Sequence, residues 1–327
     1  PPASAATLQD LHEQRLEVQP PSAPPQRLEF GPGRLLQASA DHVVLRDTAE
    51  GELLSEVNIG TVLAVAHGSD GALFGVGISG GTRFESHVKK ARAFPHAVFF
   101  PGSILFPDLE VPSQFYVDYP SEQELLRYSF ESEAGALLPI DARIPFAGCT
   151  SAPTQLRDGA FACRTATGFA RKAPRGTRTD FKPAVEFGQP FWLLPAKRLD
   201  ELYAIDRAGQ VKHVRLVAGV PVLGAFQLPA PPYAAAANGE ALAFVLVSPP
   251  APGRGRRFCL LVTDFDGQVR LQVELGSRPA PAEEDWARIV TEDKNLALSA
   301  FEPLVAVGGA VQVTVWDYRA GKPRFAR

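Results

Sequence analysis

The stretch "LLVTDFDGQVRLQV", residues 260–273, sets two carboxylates and a glycine between two runs of alternating apolar residues. Two readings compete for it: a calcium loop and a reversal of the chain. A loop of the EF-hand type needs oxygen ligands at alternating places and a bidentate acid about twelve along. Counted from Asp264, that place is Leu275, so the ligand set fails. An Asp-Gly pair between alternating runs is instead a preferred two-residue hairpin turn, because glycine tolerates positive φ and the primed turns match the twist of strands. Asp266 and Gly267 therefore read as turn residues between antiparallel strands.

The same punctuation recurs along the chain. "VVLRDTAEGELLSEV" (43–57), "FYVDYPSEQELLRYSF" (115–130), "LYAIDRAGQVKHVRL" (202–216) and "VTVWDYRAGKPRF" (313–325) repeat the order apolar strand, Asp, polar turn, second strand, and Asp206 and Gly209 hold the turn places in the third of them. A second layout, a small polar turn leading into an apolar run, appears in "SDGALFGVG" (69–77), "LRDGAFACR" (156–164) and "NGEALAFVLV" (238–247). From Arg27 onward almost no stretch has apolar residues at helical spacing, whereas runs of strand length rich in Val, Leu and Phe are common. The chain is expected to be all-β.

Two hairpin types recurring every ~43 residues make a four-stranded unit, which is the size of a propeller blade. A single such sheet leaves both faces bare, and radial stacking covers each against a neighbour. The divisions fall at 27–60, 61–96, 97–145, 146–187, 188–229, 230–280 and 281–327, giving seven blades, with six or eight also compatible because the third to fifth units are irregular. Residues 1–26 stand apart. "ATLQDLHEQRLEV" is a candidate short helix and "QPPSAPPQ" a stiff, solvated, Pro-rich tether ahead of a single domain spanning 27–327.

"PLVAVGGAVQVTVWDYRAGKP", residues 303–323, resembles the inner part of a WD40 repeat, with Trp316, Asp317 and Gly321 at the matching places, and "AHGSD" (66–70) is similar to the Gly-His and Asp elements of that family. The acidic residue usual after the Gly pair is replaced by Ala310, and there is one Trp-Asp pair only, so the resemblance is to a divergent WD40-like propeller. It implies a rigid platform that binds other molecules, usually proteins, on its faces. Propellers also host hydrolases, lyases and quinone-dependent dehydrogenases, so fold alone does not assign function.

With 45% hydrophobic and 21% charged residues and a net charge of -3, the composition is that of a globular protein without a bias toward nucleic acid. No apolar run reaches the ~18–20 residues of a membrane helix. Abundant Arg, Ala and Pro read as a GC-rich bacterial genome. The chain opens at Pro1 and has no methionine. A preceding segment is therefore expected, and the lack of a leader carries no information.

"GISGG" (77–81) fits the G-x-S-x-G nucleophile elbow with Ser79 as nucleophile, and "TRFESHVKKARAF" would then be the helix that follows. Against this stand the lack of strand–helix alternation and histidines (His87, His96, His213) in no suitable context; the competing reading is a glycine-rich hairpin. Cys149 and Cys163 face each other if the hairpin turns near Gln155 or Leu156, which makes a disulfide feasible, and two buried free thiols are the equal alternative. Cys259 reads as core. Arg164, Arg171, Lys172, Arg175, Arg178 and Lys182 make a basic cluster with Asp180 as its one acid, suited to an acidic partner if not simply solvated, and "GRGRR" (253–257) is a smaller one. No HExxH, CxxC or P-loop occurs, and no metal or cofactor is expected.

The reading favours a non-enzymatic scaffold that binds a protein partner, with Arg171, Lys172, Arg175 and Arg178 as candidate contacts and the loops near 101–113, 171–183 and 248–257 as the interaction rim. The alternatives are a hydrolase, at Ser79 or in the central channel, and a small-ligand propeller. An extracytoplasmic location, with a membrane tether through the missing N-terminus, is expected, and a cytoplasmic one is the alternative.

Overall fold

The computed structural model describes residues 27–39, 42–78, 80–85, 91–95, 104–119, 123–129, 138–183, 190–248, 255–278, 295–309 and 312–327. The expected tether, 1–26, lies outside them. The described chain forms seven four-stranded antiparallel sheets, each built from consecutive strands.

Blade 1 holds β1 (Arg27–Gly31), β2 (Arg34–Ser39), β3 (His42–Asp47) and β4 (Leu53–Asn58). Blade 2 holds β5 (Val62–His67), β6 (Leu73–Gly77), β7 (Gly80–Phe84) and β8 (Ala91–Pro95). Blade 3 holds β9 (Leu105–Pro107), β10 (Gln114–Tyr119), β11 (Glu124–Ser129) and β12 (Leu138–Pro145). Blade 4 holds β13 (Thr154–Gln155), β14 (Phe161–Thr165), β15 (Gly168–Lys172) and β16 (Arg178–Phe181). Blade 5 holds β17 (Pro190–Pro195), β18 (Glu201–Asp206), β19 (Gln210–Arg215) and β20 (Val222–Gln227). Blade 6 holds β21 (Pro232–Ala237), β22 (Leu242–Val247), β23 (Arg256–Thr263) and β24 (Val269–Arg278). Blade 7 holds β25 (Leu296–Leu298), β26 (Leu304–Gly308), β27 (Val313–Asp317) and β28 (Lys322–Ala326). Each sheet falls inside one of the divisions read from the sequence. Within a blade the strands are lettered a to d from the ring axis outward, since first strands meet first strands of the next blade, as β1 meets β5 and β25.

Side-chain parity decides which neighbour each residue packs against. In β22, Leu242, Phe244 and Leu246 point into the seam with blade 5. Ala243, Val245 and Val247 point into the seam with blade 7, where Trp316 and Tyr318 also pack. Successive side chains of a strand face opposite ways, and here both ways are inward. Each of the seven apolar clusters therefore spans two adjacent blades, including the closing one, where Leu28, Phe30 and Leu35 of blade 1 meet Ala306, Val315 and Phe325 of blade 7. Every fully buried Phe or Leu contributes roughly 1.5–3 kcal/mol to this core.

Asp-capped turns join the strands. Asp264 Oδ1 accepts the backbone N–H groups of Asp266 and Gln268 at 3.1 and 2.9 Å. Gly267 takes φ +84°. The turn thus has three residues between Asp264 and Gln268, rather than the two expected, with glycine in the left-handed place of a longer hairpin. Asp47, Asp206 and Asp317 cap their own turns through Oδ1 in the same way. Asp118, grouped with them in the sequence, does not: it lies within β10, is 4% exposed, and its Oδ2 has no hydrogen-bond partner. The repeats are also not all one hairpin. Those at Asp47, Asp264 and Asp317 join strands c and d, whereas those in blades 3 and 5 join b and c, at the opposite end of the blade. The second layout joins strands a and b in all three cases, with Asp70, Asp158 and Asn238 capping the turns.

Candidate functional site

The a–b and c–d turns emerge at one end of the blades, and the a–b end is tied into a continuous polar belt. Arg34 Nη2 donates to the Gly71 carbonyl at 3.0 Å, joining blades 1 and 2. Ser69 Oγ donates to Asp108 O (3.4 Å) and Gln155 Nε2 to Pro107 O (2.7 Å), joining 2 to 3 and 3 to 4. Arg157 Nε donates to Ala196 O (2.9 Å) and Tyr203 Oη to Phe265 O (3.4 Å), joining 4 to 5 and 5 to 6. Asn238 Nδ2 donates to Ser299 O (2.5 Å), and Thr48 Oγ1 to Glu302 Oε2 (2.7 Å), which closes the ring from 6 to 7 and from 7 to 1. All seven seams carry such a bond.

The c–d turns lean back onto the preceding blade, as the twist of a sheet from inner to outer strand requires. Phe265 in the turn of blade 6 stacks on Tyr203 of blade 5 at 5.4 Å between centroids, and Tyr203 stacks in turn on His213 at 4.7 Å. Gly51 of blade 1 lies against Phe325 of blade 7 so closely that a Cβ would come within 2.6 Å of the ring. Arg319 of blade 7 pairs with Glu240 of blade 6.

Where these turns converge over blade 6 they enclose a groove of about 290 Å³, lined by Lys197, Glu240, Phe265, Arg270, Tyr318 and Arg319 together with the backbone at Gly239 and Ala241. Tyr318 is buried and its hydroxyl accepts from Asn238 Nδ2 at 3.4 Å; burial raises its pKa, so it stays a neutral phenol. Lys197, Glu240, Arg270 and Arg319 are solvated. The sequence reading missed this groove. Its residues come from four turns of three blades, far apart along the chain, and only knowledge of which turns share an end would have grouped them. Phe265 and Arg270 fall within "LLVTDFDGQVRLQV", whose pattern signals a turn between strands and nothing of a groove.

The basic cluster takes a different form from the loop expected over 171–183. Residues up to Lys172 belong to β15, and Arg178–Phe181 is β16, so only 173–177 is a turn. Four of its six cations, the candidate contacts, are engaged within the protein: Arg171 with Asp158, Arg175 with Glu110 at 3.7 Å, Arg178 with Asp180 at 2.9 Å, and Lys172 Nζ with Gly176 O at 2.5 Å. The Arg175–Glu110 pair joins the 173–177 turn to the turn after β9 at the a–b end; the loop expected near 101–113 is interrupted by β9, and its residues 101–103 lie outside the described residues. Of the third loop, expected near 248–257, residues 249–254 lie outside the described residues, and Arg256 and Arg257 belong to β23.

Cys149 and Cys163 are joined in a disulfide with Cα atoms 5.9 Å apart. The hairpin register differs from the one assumed. The turn is at Arg157–Gly159, Thr154 pairs with Ala162, and Cys149 pairs with Thr165, so the bridge runs diagonally. The Asp158-Gly159 pair, with φ +79° at Gly159, sets the reversal further along than Leu156. Cys259 is half-buried, and burial raises its thiol pKa. Ser79 lies outside the described residues. The chain on either side of it is β6 and β7, paired at Gly77 and Gly80, and 91–95 is a strand, so the helix a nucleophile elbow needs is replaced by a hairpin. His213 is committed to Glu201 at 2.9 Å, which also binds Arg215 at 2.6 Å. Among the described residues, no group of three or more His, Cys, Asp or Glu is placed to hold a metal ion, and no helix is long and apolar enough to cross a membrane.

No protein-family model matches the chain, and no curated protein sequence matches it. Solved structures do. The β-propeller domain of Cps50 (Swd1) from Myceliophteria thermophila is 13% identical and superposes with a TM-score of 0.59 over 90% of this chain and 96% of that one. Saccharomyces cerevisiae Sqt1 is 11% identical, with a TM-score of 0.55 over 92% of this chain and 84% of that one. Chaetomium thermophilum Sqt1, solved bound to the N-terminus of the ribosomal protein L10, is 13% identical, with a TM-score of 0.53 over 92% and 86%. At such identities the likeness is one of fold, and it agrees with the WD40-like propeller read from Trp316, Asp317 and Gly321.

Proposed function

We propose that the protein is a non-catalytic propeller that binds a protein partner on the end carrying the a–b and c–d turns, within an envelope-associated or multi-protein bacterial assembly. One observation carries this: the belt of hydrogen bonds through all seven seams makes that end a stiff platform, and the platform bears an open groove. Interfaces assembled on rigid frames lose less entropy on binding. The Sqt1 structure with a segment of L10 gives a precedent for a propeller of this shape engaging a protein. The Cys149–Cys163 bridge supports an oxidising, extracytoplasmic compartment. The Pro-rich segment ahead of Arg27 would serve as the tether, and Arg175, at the same end as the groove, as a rim contact.

The test compares partner recovery from an extract of the source organism by immobilised wild-type protein and two variants. One, Leu109→Asp with Arg175→Glu, alters the a–b end; the other, Ala208→Glu, alters a b–c turn at the far end. Selective loss with the first variant is expected. Loss with the second alone would move the binding face. Labelling by a fluorophosphonate that vanishes in Ser79→Ala would overturn the non-catalytic reading.

A further inference from the structure

We infer that the groove over blade 6 receives an acidic peptide segment of the partner, one carboxylate among its cations and one apolar side chain against Phe265. This rests on the reading of the a–b end as a protein-binding face.

The charge balance of the lining points one way. Lys197, Arg270 and Arg319 face the groove with Glu240 as the one acid among the lining residues. Glu240 is already taken by Arg319. Asp264 pairs with Arg270 at 3.4 Å through Oδ2 but is not among the lining residues, and its Oδ1 accepts N–H groups of its own turn. Lys197 makes no ion pair among the described residues. A further cation, outside the lining itself, flanks Gly239: the Arg157 guanidinium lies so close that a Cβ there would be 3.1 Å from Nη2. Gly239 thereby keeps the space between the groove and Arg157 free of a side chain, and Arg157 is fixed by its Nε on Ala196 O at 2.9 Å.

The remaining walls are apolar and fixed. Phe265 is held by its stack on Tyr203, and Tyr318 by Asn238, so neither ring must be ordered on binding. A volume of about 290 Å³ admits two side chains, not a folded domain. Guanidinium and ammonium donors suit carboxylates, and their partial exposure makes the attraction dependent on salt. A basic segment would meet three cations, Lys197, Arg270 and Arg319, with Glu240 as the one lining acid to offset them.

The probe is the fluorescein-labelled peptide Glu-Glu-Phe-Glu-Glu, followed by fluorescence anisotropy at low salt, with Lys-Lys-Phe-Lys-Lys as its opposite. Saturable binding of the acidic peptide is expected, at least tenfold tighter than the basic one. Lys197→Glu with Arg270→Glu, and separately Gly239→Val, should each weaken it at least tenfold while leaving the melting temperature within a few degrees. Equal affinity for both peptides, no binding up to ~1 mM, or an unchanged affinity in both variants would overturn the assignment. So would displacement by inorganic phosphate beyond the effect of chloride at matched ionic strength, which would mark a small-anion site. If the peptide fails while Leu109→Asp with Arg175→Glu still loses the partner, the binding face stands and only the groove's occupant is wrong.

Discussion

Asn238 on the a–b turn of blade 6 reaches the Ser299 carbonyl of blade 7 with its Nδ2 at 2.5 Å while its Oδ1 accepts the N–H groups of Glu240 and Ala241, both at 2.8 Å. One buried side chain thus shapes its own turn and fastens the next blade. Asn238→Asp keeps the acceptor and loses the donor, and Asn238→Ala loses both. Each should cost about 1–3 kcal/mol in urea denaturation, since buried partners are left unsatisfied. An Asn238→Asp variant as stable as the wild type would show that the seam bond contributes nothing.

Asp118 should make stability depend on pH. It is buried on β10 without a partner for Oδ2, and burial pushes its pKa up to about 7. The folded state therefore binds a proton that the unfolded chain, with its ordinary carboxylate, gives up more readily. Its contribution is most favourable below about pH 4 and is lost progressively as the pH rises to about 7. Asp118→Asn should match the wild type at pH 4 and exceed it by a few kcal/mol at pH 8. A gap that does not change with pH would contradict the burial argument.

Breaking the Cys149–Cys163 bridge should be felt moderately. The closed loop has a sequence separation of 14. Loops of that size gain ~3 kcal/mol from cross-linking. Cys149→Ser with Cys163→Ser should lose stability of that order, and thiol titration of the native, non-reduced protein in denaturant should find one reactive group, Cys259. Three reactive thiols would remove the bridge.

The outer strand β20, "VLGAFQ", carries no charge, whereas the outer strands of the other blades each carry at least one, such as Glu56, Arg92, Arg143, Asp180, Glu274 and Lys322. Val222 and Leu223 on it are 39% and 45% exposed. Charges on an edge oppose pairing with other chains. Leu223→Lys should therefore slow aggregation during heating, read by light scattering, without lowering the melting temperature.

The repeat of turn chemistry made the blades legible, because an Asp or Asn cap and a following glycine recur at one or more reversals in every blade but the third. It misled at Asp118, whose neighbours in sequence imitate a capped turn although the carboxyl points into the core. It also hid the second strands. β22 and β26 are buried on every residue and so read as plain apolar runs, since both their faces are covered. The groove was not legible, because Lys197, Phe265 and Arg319 meet only after two levels of geometry, the alternation of hairpin ends and the backward lean of the outer turns.

No strand is exchanged between the two ends of the described chain: β1 and β28 belong to different sheets, and blade 1 meets blade 7 through Thr48 on Glu302, Gly51 under Phe325 and the apolar contacts between them. The molecule is clasped like a bracelet. Six of its joints also have a covalent link running from one blade into the next, and this one does not. Under tension applied at Arg27 and Arg327, the clasp is where it would part first, opening a chain of still-folded links.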